Sequence, residues 1–256
     1  MISFFQKIGE SILDDIRSVG KFSLVAFNFL KKLYTAPPRF RIILDQLYEI
    51  GYKSLPVVAI TGAFTGMVLA VQSYYQFHQI SMETAIGILI GLSMTNELGP
   101  VLTALMVAGR VGASMAAQLG TMKVTEQIDA LNTLAVDPVS YLVAPRLIAG
   151  IFMIPILTVF SIFIGILGGY FISVELLQIN KTFFVNNMLD FTGVMDFLNG
   201  LTKSVVFALI IIIISCYKGI IADDGAEGVG KATTEAVVFS CISILISDFF
   251  LSIILT

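Results

Sequence analysis

Residues 147–172 read LIAGIFMIPILTVFSIFIGILGGYFI, a stretch without a charged side chain. About 20 predominantly apolar residues in a helix cross the ~30 Å hydrocarbon core of a bilayer, so this run predicts a membrane-spanning helix. Pro155 lies inside it, which membrane helices tolerate where neighbouring helices satisfy the freed backbone groups. Comparable runs lie on either side, at about Ser54–Tyr74, Thr84–Ala108, Leu201–Tyr217 and Ala236–Leu255. The expected fold is an all-α integral membrane protein with about five transmembrane helices. The second span contains Asn96, Glu97, Gly99 and Pro100, and is expected to be broken or longer than drawn.

Composition points the same way. Of the 256 residues, 57% are hydrophobic and 13% charged, against roughly 25% charged in ordinary soluble domains. A soluble domain of this size has no core large enough to hide that much apolar surface, so lipid has to act as solvent. The net charge of −3 is small and scattered, which argues against a nucleic-acid partner. The single histidine, His78, rules out a multi-histidine metal site. Cys216 and Cys241 sit in or beside apolar runs and read as small core residues.

The N-terminal stretch has a helical period. Ile2, Phe5, Ile8, Ile12, Ile16, Val19, Phe22, Val25, Phe29 and Leu33 recur every three or four residues, with charged residues largely between them. This is an amphipathic helix too polar to span, expected to lie in the membrane interface and to end at Pro37 and Pro38. No cleavable signal peptide is visible. The expected division is an interfacial helix and connector over 1–45 and a transmembrane domain over 46–256. Eight basic residues precede the first span (Lys7, Arg17, Lys21, Lys31, Lys32, Arg39, Arg41, Lys53), and the loop after the second carries Arg110, Lys123 and Arg146. The loop 75–83 has none, and 173–200 has only Lys181. Basic residues favour the cytoplasmic side, which predicts a cytoplasmic N-terminus and a periplasmic C-terminus.

Glu97 is a carboxylate inside an apolar span, an arrangement costing roughly 2.5–3.5 kcal/mol unless it faces a cavity or partner. It reads either as a polar contact on a substrate path or as part of a structural break in which Asn96 caps a helix restarting before Pro100. The spacings Gly62-x-x-x-Gly66, Gly87-x-x-x-Gly91 and Gly165-x-x-x-Gly169 predict close helix approach. Between spans two and three, Met122–Pro138 is polar yet helix-like, with an apolar stripe of Val124, Ile128, Leu131 and Leu134. It reads as a short amphipathic helix, either a docking element or a tidy loop. Gly225–Ala232 nearly matches a phosphate-binding loop, but Ala232 lacks the hydroxyl that would hold Mg²⁺ and no strand or nucleotide-binding domain surrounds it. A turn between spans is the simpler reading. No catalytic constellation, metal site or cofactor motif appears, so the energy source is another polypeptide or an ion gradient.

Several blocks then bring a family into view: Gly62-Ala-Phe-Thr-Gly-Met-Val-Leu, Asn96-Glu-Leu-Gly-Pro-Val-Leu-Thr-Ala-Leu, Ala108-Gly-Arg-Val-Gly-Ala-Ser, Thr125-Glu-Gln-Ile-Asp-Ala-Leu, Ala135-Val-Asp-Pro with Pro145-Arg146, Lys203-Ser-Val-Val-Phe-Ala and Gly230-Lys-Ala-Thr-Thr-Glu-Ala-Val-Val. In order and spacing they resemble the MlaE/YrbE permeases over most of the chain after about Gln46. The resemblance implies a non-catalytic, homodimeric permease of an ABC transporter in a bacterial inner membrane. A cytoplasmic ATPase subunit would energise it, a periplasmic MCE-domain protein (MlaD-like) would sit outside, and phospholipid would be its cargo. By matching position, Glu97 belongs at an outward-facing lipid pocket near the dimer axis and Leu69 in its wall. Lipid tails would lie along Val68, Leu69 and Phe77, with polar groups near Asn96 and Glu97. The helix from Thr125 to Leu131 resembles a coupling helix seated in the ATPase, carrying Thr125, Glu126, Gln127 and Asp129. Some members have arginine at the position of Asn96, a cation this chain lacks. Two other classes compete: a self-sufficient ion-coupled carrier or channel using Glu97, and an intramembrane enzyme using Glu97 or Asp248 as acid or base.

Overall fold

The computed structural model describes residues 20–32, 39–79 and 82–255. The first part of the N-terminal stripe and the Pro37–Pro38 stop lie outside the described residues. Helix α1 covers residues 20–32. Its Phe29 is buried, and Phe22, Val25, Ala26 and Leu30 pack on the same core, while Lys21 and Lys31 face outward. Phe22 meets Tyr217 edge-on, with ring centroids 5.1 Å apart. The amphipathic reading holds for this part of the helix.

The remaining helices are α2 (Phe40–Ile50), α3 (Leu55–His78), α4 (Ile86–Ser93), α5 (Gly99–Val107), α6 (Ala113–Val124), α7 (Gln127–Thr133), α8 (Ala144–Phe171), α9 (Lys181–Phe191), α10 (Val194–Ile220) and α11 (Gly225–Leu255). Five helical stretches are long and apolar enough to cross a membrane: Phe40–His78, Glu83–Val124, Val139–Leu176, Val194–Ile220 and Gly225–Leu255. No strand occurs among the described residues. One crossing separates α7 from α9, so they cap opposite ends of the bundle.

Small residues set the packing. A Cβ on Gly66 of α3 would stand 1.8 Å from the Gly165 carbonyl oxygen of α8, and one on Gly87 of α4 would stand 2.4 Å from the Phe184 carbonyl oxygen of α9. The backbones are in contact, as the glycine spacings predict. Large apolar side chains point outward instead, among them Phe152 and Phe163 of α8 and Phe239, Phe249 and Phe250 of α11. Such a surface is stable against hydrocarbon and unfavourable against water.

Several expectations need correction. Span two does not stop near Ala108 but runs from Glu83 to Val124 as α4, α5 and α6, joined by two wide turns at Met94–Leu98 and Ala108–Gly112. Pro100 has no N–H to give the Asn96 carbonyl and its ring crowds that group. The helix accommodates this by widening: the Gly99 N–H bonds to the Met94 carbonyl, five residues back. Asn96 therefore caps nothing. Arg110 and Arg146 are helical residues within the bundle rather than loop residues. The stretch 173–200, read as a loop, contains α9, which starts at Asn180, whose side chain accepts the Thr182 N–H at 2.9 Å. The glycine-rich Gly225–Ala232 is the first two turns of α11 rather than a turn between spans. Of the apolar stripe, Ile128 is buried and Leu131 packs on the core, while Leu134, just past α7, is exposed.

Candidate functional site

Two regions carry the residues singled out from sequence. The first surrounds the wide turn at Met94–Leu98. Glu97 Oε1 lies 2.8 Å from Lys203 Nζ of α10 and accepts from Ser252 Oγ of α11 at 3.1 Å. Lys203 Nζ also lies 3.1 Å from Asp248 Oδ1 and donates to Ser252 Oγ at 2.8 Å. Lys203 is only 2% exposed, so its charge is balanced inside the protein, as burial of an ion requires. Nearby, Asn96 Nδ2 donates to Asp196 Oδ1 at 3.0 Å, and Asp196 Oδ2 accepts the Gly193 N–H at the start of α10 at 2.8 Å. Gly200 admits this contact, since a Cβ there would stand 2.2 Å from the Thr95 carbonyl oxygen. Spans two, four and five are thus tied by one polar cluster.

Beside that cluster, Phe64, Thr65, Val68, Leu69 and Gln72 of α3 and Leu98 of the wide turn line an open groove of ≈ 300 Å³. Val68 and Leu69 are therefore brought next to the residue that follows Glu97. Phe77 does not line this groove; two turns further along α3 it packs on the cluster of Ala70, Ile86, Ile90 and Phe184, which Leu69 and Leu98 also touch. Glu97 keeps nearly half of its side chain exposed despite its ion pair, so one carboxylate both holds Lys203 and faces outward.

The second region is the α6–α7 corner. Helix α6 ends where the Thr125 N–H bonds to the Thr121 carbonyl at 3.0 Å, and Glu126 turns the chain with a left-handed φ of 59°. After α7 a second left-handed residue, Ala135 (φ 56°), lets the Val136 N–H close on the Leu131 carbonyl at 2.9 Å. Thr125, Glu126, Gln127 and Asp129 are all exposed on this corner, with Asp129 3.0 Å from Lys123. Lys32 of α1 pairs with Asp137 at 2.6 Å, and Arg39 stacks over the Tyr141 ring at 4.3 Å. Partial burial pushes the Asp137 carboxyl up, but the Lys32 and Ser140 bonds, the Lys32 charge and the Val139 N–H outweigh it and leave the group below its ordinary value.

Lys203, Asp196 and Ser252 were not singled out from sequence. The usable signal was an opposite pair of charges in predicted spans: Lys203 in the fourth and Asp248 in the fifth, each costly alone. Comparisons with known proteins identify the family. The Permease MlaE family model matches residues 43–254. The chain belongs to the MlaE permease family. It is 46% identical over 252 residues to the "Probable ABC transporter permease protein" of Rickettsia felis, covering 98% of this chain and 97% of that one. Against a protein of the same description from Synechocystis it is 47% identical over 236 residues, covering 92% and 89%. Against the "Intermembrane phospholipid transport system permease protein MlaE" of Haemophilus influenzae it is 35% identical over 256 residues, covering 100% and 98%. The chain is thus a multi-pass, non-catalytic ABC transporter permease, and such a permease implies an ATPase partner. Family membership displaces the carrier and enzyme readings.

Proposed function

We propose that this permease moves phospholipids between the inner and outer membranes, with Glu97 and the groove beside it as the lipid site. The full-length similarity to a phospholipid-transport permease carries this reading. The geometry supports it: a largely apolar groove of ≈ 300 Å³ runs along Val68 and Leu69 to Leu98, next in sequence to the half-exposed carboxylate of Glu97. The exposed corner Thr125–Asp129 is the seat of the ATPase, and the opposite end, with α9, faces the periplasm and an MCE-domain partner. The N-terminus is then cytoplasmic, in line with its basic residues. Two copies of the chain enclose the pocket across the faces of α3. A cation-coupled role for Glu97 is disfavoured because its cation is already supplied by Lys203.

A photo-crosslinking amino acid at Val68 or Leu69, in cells, tests the reading. Phospholipid adducts are expected there at a level well above those at Phe163, which faces outward on α8. Equal labelling at all three positions, or none at Val68 and Leu69, refutes it.

A further inference from the structure

In the half of the bundle that carries α7, a second pocket of ≈ 240 Å³ opens between α2, the wide turn at Ala108–Gly112 and α6. Gln46, Glu49, Arg110, Ser114 and Gln118 supply its polar lining. Arg110 donates to the Glu49 carbonyl at 3.2 Å and to Ser54 Oγ at 2.7 Å, both through Nη1. Behind the wall, Arg146 is 6% exposed. It donates to the Leu142 carbonyl at 2.6 Å and, through Nη2, to Gln118 Oε1 at 3.2 Å, and its buried Nε has no partner. Gln118 thus links the second arginine to the pocket.

Neither arginine is ion-paired with a carboxylate among the described residues. The one carboxylate in the lining, Glu49, is held by Lys53. Arg146 is a buried cation, which is ordinarily neutralised by a neighbour, and Arg110 is half-buried. The carboxyl end of α2 compensates Arg110 in part, but it engages only Nη1 and leaves the rest of the fork facing the pocket. A guanidinium fork with free N–H groups fits a phosphate oxygen pair better than any neutral ligand.

We propose that this pocket binds a phosphate oxyanion, belonging either to a lipid headgroup or to a small soluble phosphate. Arg110 makes the direct contact, Gln46, Ser114 and Gln118 add neutral hydrogen bonds, and Arg146 supplies charge from behind Gln118. The lipid source rests on the phospholipid reading above; the soluble source does not.

The purified protein in mild detergent is melted at constant ionic strength while titrated with inorganic phosphate in one arm. The other arm uses dihexanoyl phosphatidylglycerol below its micelle concentration. A saturable rise in melting temperature is expected in at least one arm, and the arm that responds identifies the source. Gln118→Glu supplies an internal carboxylate beside Arg146 and at the pocket wall. It is expected to melt no lower than wild type without ligand and to need at least tenfold more ligand for half-saturation. Arg110→Gln should weaken binding as strongly, and Gln118→Glu keeps the test decisive if Arg110→Gln folds poorly. No saturable rise in either arm, or a half-saturation unchanged in Gln118→Glu, overturns the proposal. Neither arm involves ATP or transport, so failure of the lipid-transport reading would show at Val68 and Leu69 and leave this titration unaffected.

Discussion

Lys203→Met removes the one cation from the cluster that joins spans two, four and five while keeping the length and most of the volume of the side chain. It leaves Glu97 and Asp248, previously 2.8 Å and 3.1 Å from Nζ, without their counter-ion. Deleting one partner of a buried ion pair costs about 3–5 kcal/mol, because the remaining charge stays desolvated. The side-chain exposures of 3% for Lys203, 19% for Asp248 and 45% for Glu97 grade the single variants. Asp248→Asn leaves Lys203 with Glu97 alone and should cost about 2 kcal/mol. Glu97→Gln removes the most exposed member and should cost at most about 1 kcal/mol. The triple variant Lys203→Met/Glu97→Gln/Asp248→Asn carries no uncompensated charge and should recover to within about 1 kcal/mol of wild type. Reversible unfolding in mixed micelles of mild detergent and dodecyl sulfate measures all four. A Lys203→Met variant within about 0.5 kcal/mol of wild type, the scatter of ordinary surface changes, would refute the reasoning. So would a triple variant as unstable as the single one.

The remaining predictions use the same melting or activity assays. Gly66→Ala puts a Cβ 1.8 Å from the Gly165 carbonyl and should destabilise by about 1–3 kcal/mol through overpacking. Gly230→Ala meets nothing within 4 Å in a helical turn of α11 and should stabilise by about 0.5–1 kcal/mol. Destabilisation there would mean that the segment needs a turn. Because the Asp137 carboxyl lies below its ordinary 3.8, its contacts stabilise the fold above that pH and are lost as pH falls through the lowered value. Asp137→Asn should therefore melt below wild type at pH 7, by at most about 1 kcal/mol for so exposed a pair, with the gap closing as the pH drops below 3.8. Glu126→Gly combined with Asp129→Asn should melt as wild type or slightly higher, since a left-handed φ costs a non-glycine residue about 1 kcal/mol. With the partner ATPase present, it should separate ATP hydrolysis from transport. Unchanged coupling would remove this corner from the interface.

The spans were legible because burial in lipid imposes a rule on every residue in a run: 147–172 has no charge to hide and no other solvent to enter. The glycine spacings were legible for a similar reason, since Gly66 and Gly87 specify contact whatever the partner is. What was not legible depended on pairing in space. Pro100 reads along the chain as the start of a helix after a break, and only the space around Gly99, where a Cβ would meet the Ile162 side chain at 2.4 Å, shows a helix held on course through a wide turn. Glycines 225, 228 and 230 look like a turn in sequence. In space, a Cβ on Gly228 would stand 2.1 Å from the Asp223 carbonyl, so that glycine serves a close approach at the start of a helix. Glu97 was recognisable as costly, but its partner lies 106 positions away by numbering (203 minus 97), and no periodicity reports which faces of spans two and four meet.

The two regions lie on one piece of secondary structure. From Leu98 in the groove to Gln127 at the corner, the chain passes through α5, the second wide turn and α6 without a loop until Thr125. At 1.5 Å per residue this is a helical path of roughly 40 Å. A continuous helix transmits displacement along its axis with little loss, whereas a loop absorbs it. If an ATPase moves the corner, span two is the element that carries the movement to the groove. The polar cluster then has a mechanical role as well as a stabilising one, because Lys203 and Ser252 clamp Glu97 to spans four and five at the far end of that path. Loosening the clamp should alter the groove more than the corner. Glu97→Gln, whose cost to stability is small, is therefore the variant in which transport should fall while partner binding at Thr125–Asp129 is kept. Loss of ATPase binding in that variant would show that the two ends do not act separately.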